Sequence, residues 1–172
     1  MSGAVDIPTL ETERLVLRPY RRSDFDAYAA LIASARAVHM GGPHDGETAW
    51  AWFTNDIAAW TLVGVGCLAI EEDGALAGFV GIVHPPIFPA PECGWGLYDG
   101  FTGRGLATEA AGALLSHAWA TTDLPSIVSH IASGNAASIR VAERLGAVPD
   151  PDAPLPEGWT SLTYRHTRPE AA

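Results

Sequence analysis

The chain has 172 residues, 48% hydrophobic and 17% charged, which describes a globular domain long enough to bury roughly two-thirds of its unfolded surface. Its formal net charge is −10 and all ten basic residues are arginine, a balance that argues against nonspecific nucleic-acid binding and against anionic membranes. Cys67 and Cys93 lie far apart in apolar segments, so they are expected to be reduced core residues of a cytoplasmic protein. No signal-peptide pattern opens the sequence, and the uncharged apolar stretch Ile57 to Ile70 is too short and glycine-broken to span a bilayer.

In chain order, Met1 to Thr12 is a loose lead-in, and Arg14-Leu15-Val16-Leu17-Arg18 alternates as a strand closed by Pro19. Ser23-Asp24-Phe25-Asp26 has the form of a helix start with Ser23 as cap, and that helix is expected to run to about Arg36. Gly41 to Gly46 is a loop. A second helix is expected over Glu47 to Trp60. Its aromatic residues suit either packing on a sheet or walling a pocket, and Trp50 and Trp52 cannot both face one way. A hairpin follows, Gly66 to Ile70 and Leu76 to His84 around Glu71-Glu72-Asp73-Gly74. A proline-rich loop then leads to a third strand, Glu92 to Tyr98.

Gly100-Phe101-Thr102-Gly103-Arg104-Gly105 comes next, three glycines in six residues giving way to the alanine-rich run that starts at Leu106. Glycine permits positive φ and close approach to a ligand, and a helix N-terminus carries unpaired amides with a partial charge of roughly +0.5, which suits phosphate. The helix after the turn is expected over Gly105 to Thr121, and a strand over Ser126 to Ile131 follows, parallel to Glu92–Tyr98 because a helical crossover joins them. A helix capped by Asn135 and ended by Gly146, a short strand at Ala147-Val148 and a last strand from Trp159 to His166 complete the chain. The order β-α-α-β-β-β-α-β-α-β-β describes an α/β (α+β) domain over residues 1–172, with a mixed sheet and helices on its faces.

Three phosphate-binding patterns compete for the glycine turn. A P-loop needs a lysine, and the chain has none; a dinucleotide fingerprint needs a third glycine, which Thr108 replaces. The third pattern extends beyond the turn. Leu10-Glu11-Thr12-Glu13-Arg14-Leu15-Val16-Leu17-Arg18, Glu92-Cys93-Gly94-Trp95-Gly96-Leu97, Thr102-Gly103-Arg104-Gly105-Leu106-Ala107-Thr108-Glu109-Ala110 and Asn135 through Ala147 occur in the order and spacing of the GCN5-related N-acetyltransferases. The chain resembles that family nearly end to end, especially the branch containing the bacterial acetyltransferases of ribosomal-protein N-termini.

The resemblance implies a mostly antiparallel central sheet of about six to seven strands, with two splayed parallel strands at an acetyl-CoA site. It implies acetyl transfer from acetyl-CoA to a primary amine, either a protein N-terminal α-amine or a small-molecule amine, by direct attack on the thioester. In the family, a Q/R-x-x-G-x-G/A turn wraps the CoA pyrophosphate. Gly103 and Gly105 match its glycines, whereas Gly100 stands where Gln or Arg is usual, so the backbone from Thr102 through Gly103, Arg104, Gly105, Leu106 and Ala107 to Thr108 is expected to carry the contact. Trp95, Gly96 and Leu97 correspond to the strand that binds the pantetheine arm, and Asn135 to a CoA-contacting asparagine. Ser138 matches the serine thought to protonate the leaving thiolate. Glu92 is the first candidate for the base that takes the amine's proton, with His130 and His84 after it. His39, His44 and Asp45 carry metal-ligand side chains, but loop histidines at that spacing are weak evidence for a site, and the resemblance implies no metal. The acceptor pocket is expected from Glu47–Trp60, Pro85–Pro91 and Pro149–Trp159. Homodimers are common in the family, although no interface is readable. A catalytically silent CoA-binding or interaction module on the same fold is the alternative.

Overall fold

The computed structural model describes residues 6–169. Along the chain lie β1 (Leu10–Glu11), β2 (Leu15–Arg18), α1 (Phe25–Ile32), α2 (Gly46–Val63), β3 (Cys67–Glu72), β4 (Ala75–Val83), β5 (Glu92–Leu97), α3 (Leu106–Thr121), β6 (Ser126–Ile131), α4 (Ala136–Arg144), β7 (Val148–Pro149) and β8 (Leu162–Thr167). The strands form one sheet in the order β1-β2-β3-β4-β5-β6-β8-β7. Every neighbouring pair is antiparallel except β5 with β6. That parallel pair follows from its connection, since α3 carries the chain back across the sheet before β6 begins.

Strand alternation sorts side chains between two helical layers. Leu15, Leu17, Leu68, Ile70, Val80, Ile82 and Cys93 face α3 and pack with Leu106, Ala110, Leu114 and Ala118. Alanine at Ala107, Ala110, Ala111 and Ala118 leaves little side-chain bulk between helix and sheet. On the opposite face, Phe79 meets Tyr28, Ile32 and Phe53 of α1 and α2. A third cluster joins Ile131 of β6, Ala142 of α4, Ala147 and Tyr164 of β8. Among the described residues no helix is long and apolar enough to cross a membrane.

The sheet has eight strands where six to seven were expected. The addition is β1, two residues long and too short to show alternation, while the short strand expected at Ala147-Val148 appears as β7, shifted by one residue. Leu10 and Glu11, expected in the lead-in, pair with Leu17 and Val16, while residues 1–5 of that lead-in lie outside the described residues. The first helix is shorter than expected. It ends at Ile32, and the chain continues as a separate 3-10 helix, Ala35–Met40, capped by the Ser34 hydroxyl on the Arg36 N–H.

Ser23 does not cap α1. It sits inside a 3-10 turn, Arg22–Asp24, and the polar anchor is Asp24, whose carboxylate accepts from the Arg21 N–H at 2.7 Å and from both terminal nitrogens of Arg18 at 2.7 and 3.0 Å. Burial alone pushes Asp24 up, but the bonds from Arg18 and Arg21 outweigh it and hold the carboxyl below its ordinary value. Glu71 completes the arrangement by accepting from Arg18 Nε at 2.6 Å. Removing Asp24 leaves a buried guanidinium with only one of its carboxylates. Asp24→Ala is expected to cost about 2 to 3 kcal/mol, measured by urea unfolding.

Candidate active site

The site grows from the one parallel junction. β5 and β6 pair only at Glu92 and Val128, where the Val128 N–H donates to the Pro91 carbonyl at 2.9 Å. In a regular parallel ladder the next rung is the His130 N–H on the Cys93 carbonyl, followed by the Trp95 N–H on the His130 carbonyl. The first is replaced by side chains. The His130 N–H donates to Glu92 Oε1 at 3.3 Å, and the Ser129 hydroxyl donates to the Cys93 carbonyl at 2.7 Å. Beyond that point the strands diverge. The antiparallel register with β4 aims the N–H and C=O groups of Trp95 and Leu97 at the gap, because Tyr98 N–H bonds Ala77 and alternate residues point away.

The gap has two sides. On the α3 side, the Trp95 side chain packs against both the α3 core and the α4 cluster, bridging the diverging strands. On the α1–α2 side lie Glu92 and Gly94. A side chain at Gly94 would meet nothing within 4 Å, whereas one at Gly96 would strike the Phe79 ring at 2.6 Å. Gly96 also pairs its backbone with Phe79, so its contribution is clearance. The Leu97 carbonyl accepts from Arg36 of the 3-10 helix at 2.7 Å, and Arg36 also pairs with Asp99. A cavity of about 400 Å³ lies beside this contact, lined by Leu31, Ser34, Arg36, Leu76, Tyr98 and Phe101 among others.

Glu92 has no cationic partner among the described residues. Burial pushes its carboxyl up to about 7, opposed only by the His130 N–H. The His130 ring lies on the same face, with Nδ1 3.0 Å from the Thr163 hydroxyl and Nε2 buried without a partner. Burial lowers its pKa, so the ring is neutral at pH 7. Trp159 stands edge-on to His130 at 5.8 Å and to Phe88 at 5.4 Å. Two of the three segments expected to wall an acceptor pocket therefore meet beside Glu92. The third contributes less than expected: Trp60 is buried with its indole N–H on the Cys67 carbonyl, and Trp50 packs on Phe25. His44 Nε2 contacts the Met40 carbonyl and Asp45 caps α2 through the Thr48 N–H, so both serve local structure.

At the C-terminal end of β5 the chain enters the glycine turn. Gly100, Gly103 and Gly105 have φ of 89°, 75° and 79°, a region in which a side chain is strained. This accounts for Gly100 in place of a longer residue. Gly105 opens α3 with no side-chain cap, and the first intrahelical bond is Glu109 N–H to Gly105 O. The amides of Leu106, Ala107 and Thr108 precede it and are left for another acceptor. Leu106 and Ala107 are buried, so only their backbone is available, and the Thr108 hydroxyl is buried with no partner. Arg104 turns away: its guanidinium is bidentate on Glu72 at 2.6 and 2.8 Å, which spends its charge. At the end of β6, Asn135 Oδ1 accepts from the Ser138 N–H at 3.2 Å, leaving the Asn135 amide N–H₂ and the Ser138 hydroxyl outside the cap.

A carboxylate holds the turn in place. Glu109 Oε1 accepts from the Thr12 hydroxyl at 2.6 Å and from the Arg14 N–H at 3.0 Å, while Oε2 accepts from Arg14 Nε at 2.7 Å. Arg14 Nη1 then reaches the Arg104 carbonyl at 3.0 Å. Desolvation pushes Glu109 up, but the Thr12 and Arg14 bonds leave it below its ordinary value.

The sequence that builds this gap and glycine turn is matched by a family model. Residues 14–148 fit the acetyltransferase (GNAT) domain. The chain belongs to the GNAT acetyltransferases. It is 44% identical to an acetyltransferase from Agrobacterium tumefaciens str. C58, with 96% of this chain and 98% of that one covered at a TM-score of 0.90. A putative GnaT-family acetyltransferase from Bordetella pertussis matches at 28% identity, 94% and 100% coverage and a TM-score of 0.77. RimL, a ribosomal L7/L12 alpha-N-protein acetyltransferase in complex with coenzyme A, shares the fold at 20% identity, 93% and 98% coverage and a TM-score of 0.75.

As a GNAT enzyme the protein is an N-acetyltransferase, and the expected residues lie in three places: Glu92, Trp95, Gly96 and Leu97 on β5, Thr102 through Thr108 on the turn and the first turn of α3, and Asn135 and Ser138 at the start of α4. The motif reading did not single out Glu109, Ser129 or His166. Ser129 had a legible signal, since it interrupts the buried series Ile127, Ile131 on one strand face. Glu109→Gln should loosen the turn from β2. The Kd for CoA, measured by calorimetry, is expected to rise roughly 5- to 10-fold, the effect of one or two lost charge-assisted hydrogen bonds.

Proposed function

We propose that the protein, acting as one catalytic domain, transfers the acetyl group of acetyl-CoA to a primary amine by direct attack of the amine on the thioester. The donor's pyrophosphate fits the amides from Thr102 to Thr108, and the orphaned Thr108 hydroxyl supplies a further polar contact there. The amide groups of the pantetheine arm fit the unpaired Trp95 N–H and C=O and the Leu97 N–H. Arg104 contributes through its backbone, and Asn135 through its free amide. The thioester supplies an activated acetyl group; the protein's own residues orient it and move the protons.

The observation that carries this reading is Glu92, a buried carboxylate without a cation, raised to about 7 and set beside open space at Gly94. An ammonium has no lone pair, so a base must take a proton before attack, and a base with a pKa near the working pH is the most effective. Glu92 does this on the acceptor side, and the Ser138 hydroxyl donates to the departing thiolate on the donor side. Taking a proton from an α-ammonium of pKa about 8 is uphill by roughly 1.4 kcal/mol for this base; from an alkyl ammonium of about 10.4 it is uphill by roughly 4.6. The balance favours an α-amine, at a protein N-terminus or on a small molecule, over a lysine-like or polyamine nitrogen. The net charge of −10 suits approach of the protonated amine.

The test is release of CoA thiol with N-terminal peptides, amino acids and alkyl amines, with products identified by mass spectrometry. α-Amines are expected to turn over fastest. CoA binding with no turnover on the whole panel would assign the silent module instead. In wild type, kcat/KM should rise with pH through about 7 as Glu92 loses its proton. Glu92→Gln should lower kcat by about 10²-fold and abolish that limb, and Ser138→Ala should lower kcat by roughly tenfold.

Stability gives an independent sign. A raised carboxyl pKa means the folded state holds its proton more firmly than the unfolded state between 4.5 and about 7, so stability falls as pH rises through that window. Glu92→Gln is therefore expected to raise Tm at pH 8 while lowering kcat. A lowered Tm together with retained turnover would remove Glu92 from the mechanism.

A further inference from the structure

The reading of the gap as the donor cleft leaves one question, which is why the β5–β6 ladder stops after a single pair. Nothing in the local sequence forbids the next rung, since neither Cys93 nor His130 is a proline. The Cys93 carbonyl is instead occupied by the Ser129 hydroxyl at 2.7 Å, and Ser129 is 2% exposed. That hydroxyl has a second neighbour, His166 Nε2 on β8, at 3.0 Å. Since the Ser129 proton goes to the Cys93 carbonyl, the Ser129 oxygen is the acceptor in the second bond, which places a hydrogen on His166 Nε2 and leaves Nδ1 bare. Nδ1 is indeed buried without a partner. His166 is 4% exposed, and burial pushes its pKa down to about 4, so the ring stays neutral and the same tautomer persists across the neutral range.

We infer that Ser129, oriented by His166, is the positioning residue that ends β5–β6 pairing and so keeps the donor cleft open, a role that rests on the cleft binding acetyl-CoA as proposed above. The alternative state is near at hand. If the hydroxyl is lost, the Cys93 carbonyl is left buried and unsatisfied, at a cost of about 1 to 3 kcal/mol. The donor that a regular ladder would bring to it is the His130 N–H, which here makes a 3.3 Å bond to Glu92. Closing that bond restores the regular ladder. It draws β6 toward the Trp95 and Leu97 backbone groups that the pantetheine arm needs. Neither Ser129 nor His166 touches the acceptor side, because Ser129 shares the strand face of Ile127 and Ile131.

The experiment measures CoA binding directly by calorimetry, alongside KM for acetyl-CoA and for the acceptor, in Ser129→Ala, Ser129→Thr and His166→Phe. Ser129→Ala is expected to raise the CoA Kd and the acetyl-CoA KM about tenfold while the acceptor KM stays within twofold. Ser129→Thr, which keeps the hydroxyl, should restore donor binding, and His166→Phe should fall between them. Amide hydrogen exchange should find the His130 N–H better protected in Ser129→Ala than in wild type. A folded Ser129→Ala with wild-type CoA affinity and unchanged His130 exchange would overturn the inference, as would a His166→Phe that binds CoA normally should the alanine variant not fold. Wild-type protein that binds no CoA would instead overturn the donor-site reading and leave the two failures distinct.

Discussion

The molecule depends on a rung that is not made. A parallel pair in the middle of an eight-stranded sheet would ordinarily extend until a strand ends, burying its N–H and C=O groups in the ladder. Here pairing stops at Glu92 and Val128, and the Trp95 N–H and C=O and the Leu97 N–H are left as a polar edge, while the Leu97 carbonyl is taken by Arg36. Trp95 and Leu97 are only half-buried, so water or a ligand can reach and complete this edge. The two side chains that replace the missing rung come from opposite faces. Glu92 takes the N–H on the α1–α2 side and Ser129 takes the carbonyl on the α3 side. The carboxylate proposed to take the acceptor's proton and the hydroxyl proposed to hold the cleft open are thus two halves of one structural substitution.

Charge follows the same economy. An anionic donor meets a chain with net charge −10, and the arginine nearest the turn, Arg104, is tied to Glu72. Backbone amides from the turn and the first turn of α3 remain, oriented by three glycines at positive φ and fixed by Glu109 through Thr12 and Arg14. Amides held rigidly cost little reorganisation when an anion arrives. The N-terminal signature Thr12-Glu13-Arg14 acquires a physical meaning in this way: it anchors, across 95 residues of sequence, the helix whose N-terminal amides are proposed to hold the donor.

Much of this was legible in the sequence because the decisive residues are conformationally unusual. Gly100, Gly103 and Gly105 before an alanine-rich helix, and Asn135 before an amphipathic one, state their backbone roles by composition alone. The elements that were misread lacked such marks. The first helix looked continuous to Arg36 because nothing between Ile32 and Arg36 breaks a helix; the break comes from Ser34 capping a separate 3-10 segment whose Arg36 reaches β5. Ser23 looked like a cap because Ser-Asp favours one, but Asp24 was claimed by Arg18, a partner six residues away that no local rule identifies. The resemblance implied that the two parallel strands splay, but the residues that end the ladder were not legible, for a related reason. The ladder's end depends on Ser129, Cys93 and His166 meeting from three strands, and the only local trace is a serine on the buried face of Ser126–Ile131.

The central claim is that the unpaired edge of β5 and the open amides before Glu109 form one donor site. Backbone hydrogen exchange of the wild-type protein with and without CoA tests it residue by residue. The account predicts that CoA slows exchange at Trp95, Leu97 and the amides from Thr102 to Thr108 together. Saturating CoA that leaves those amides unchanged, and protects instead the residues lining the cavity beside Arg36 and Tyr98, would contradict it.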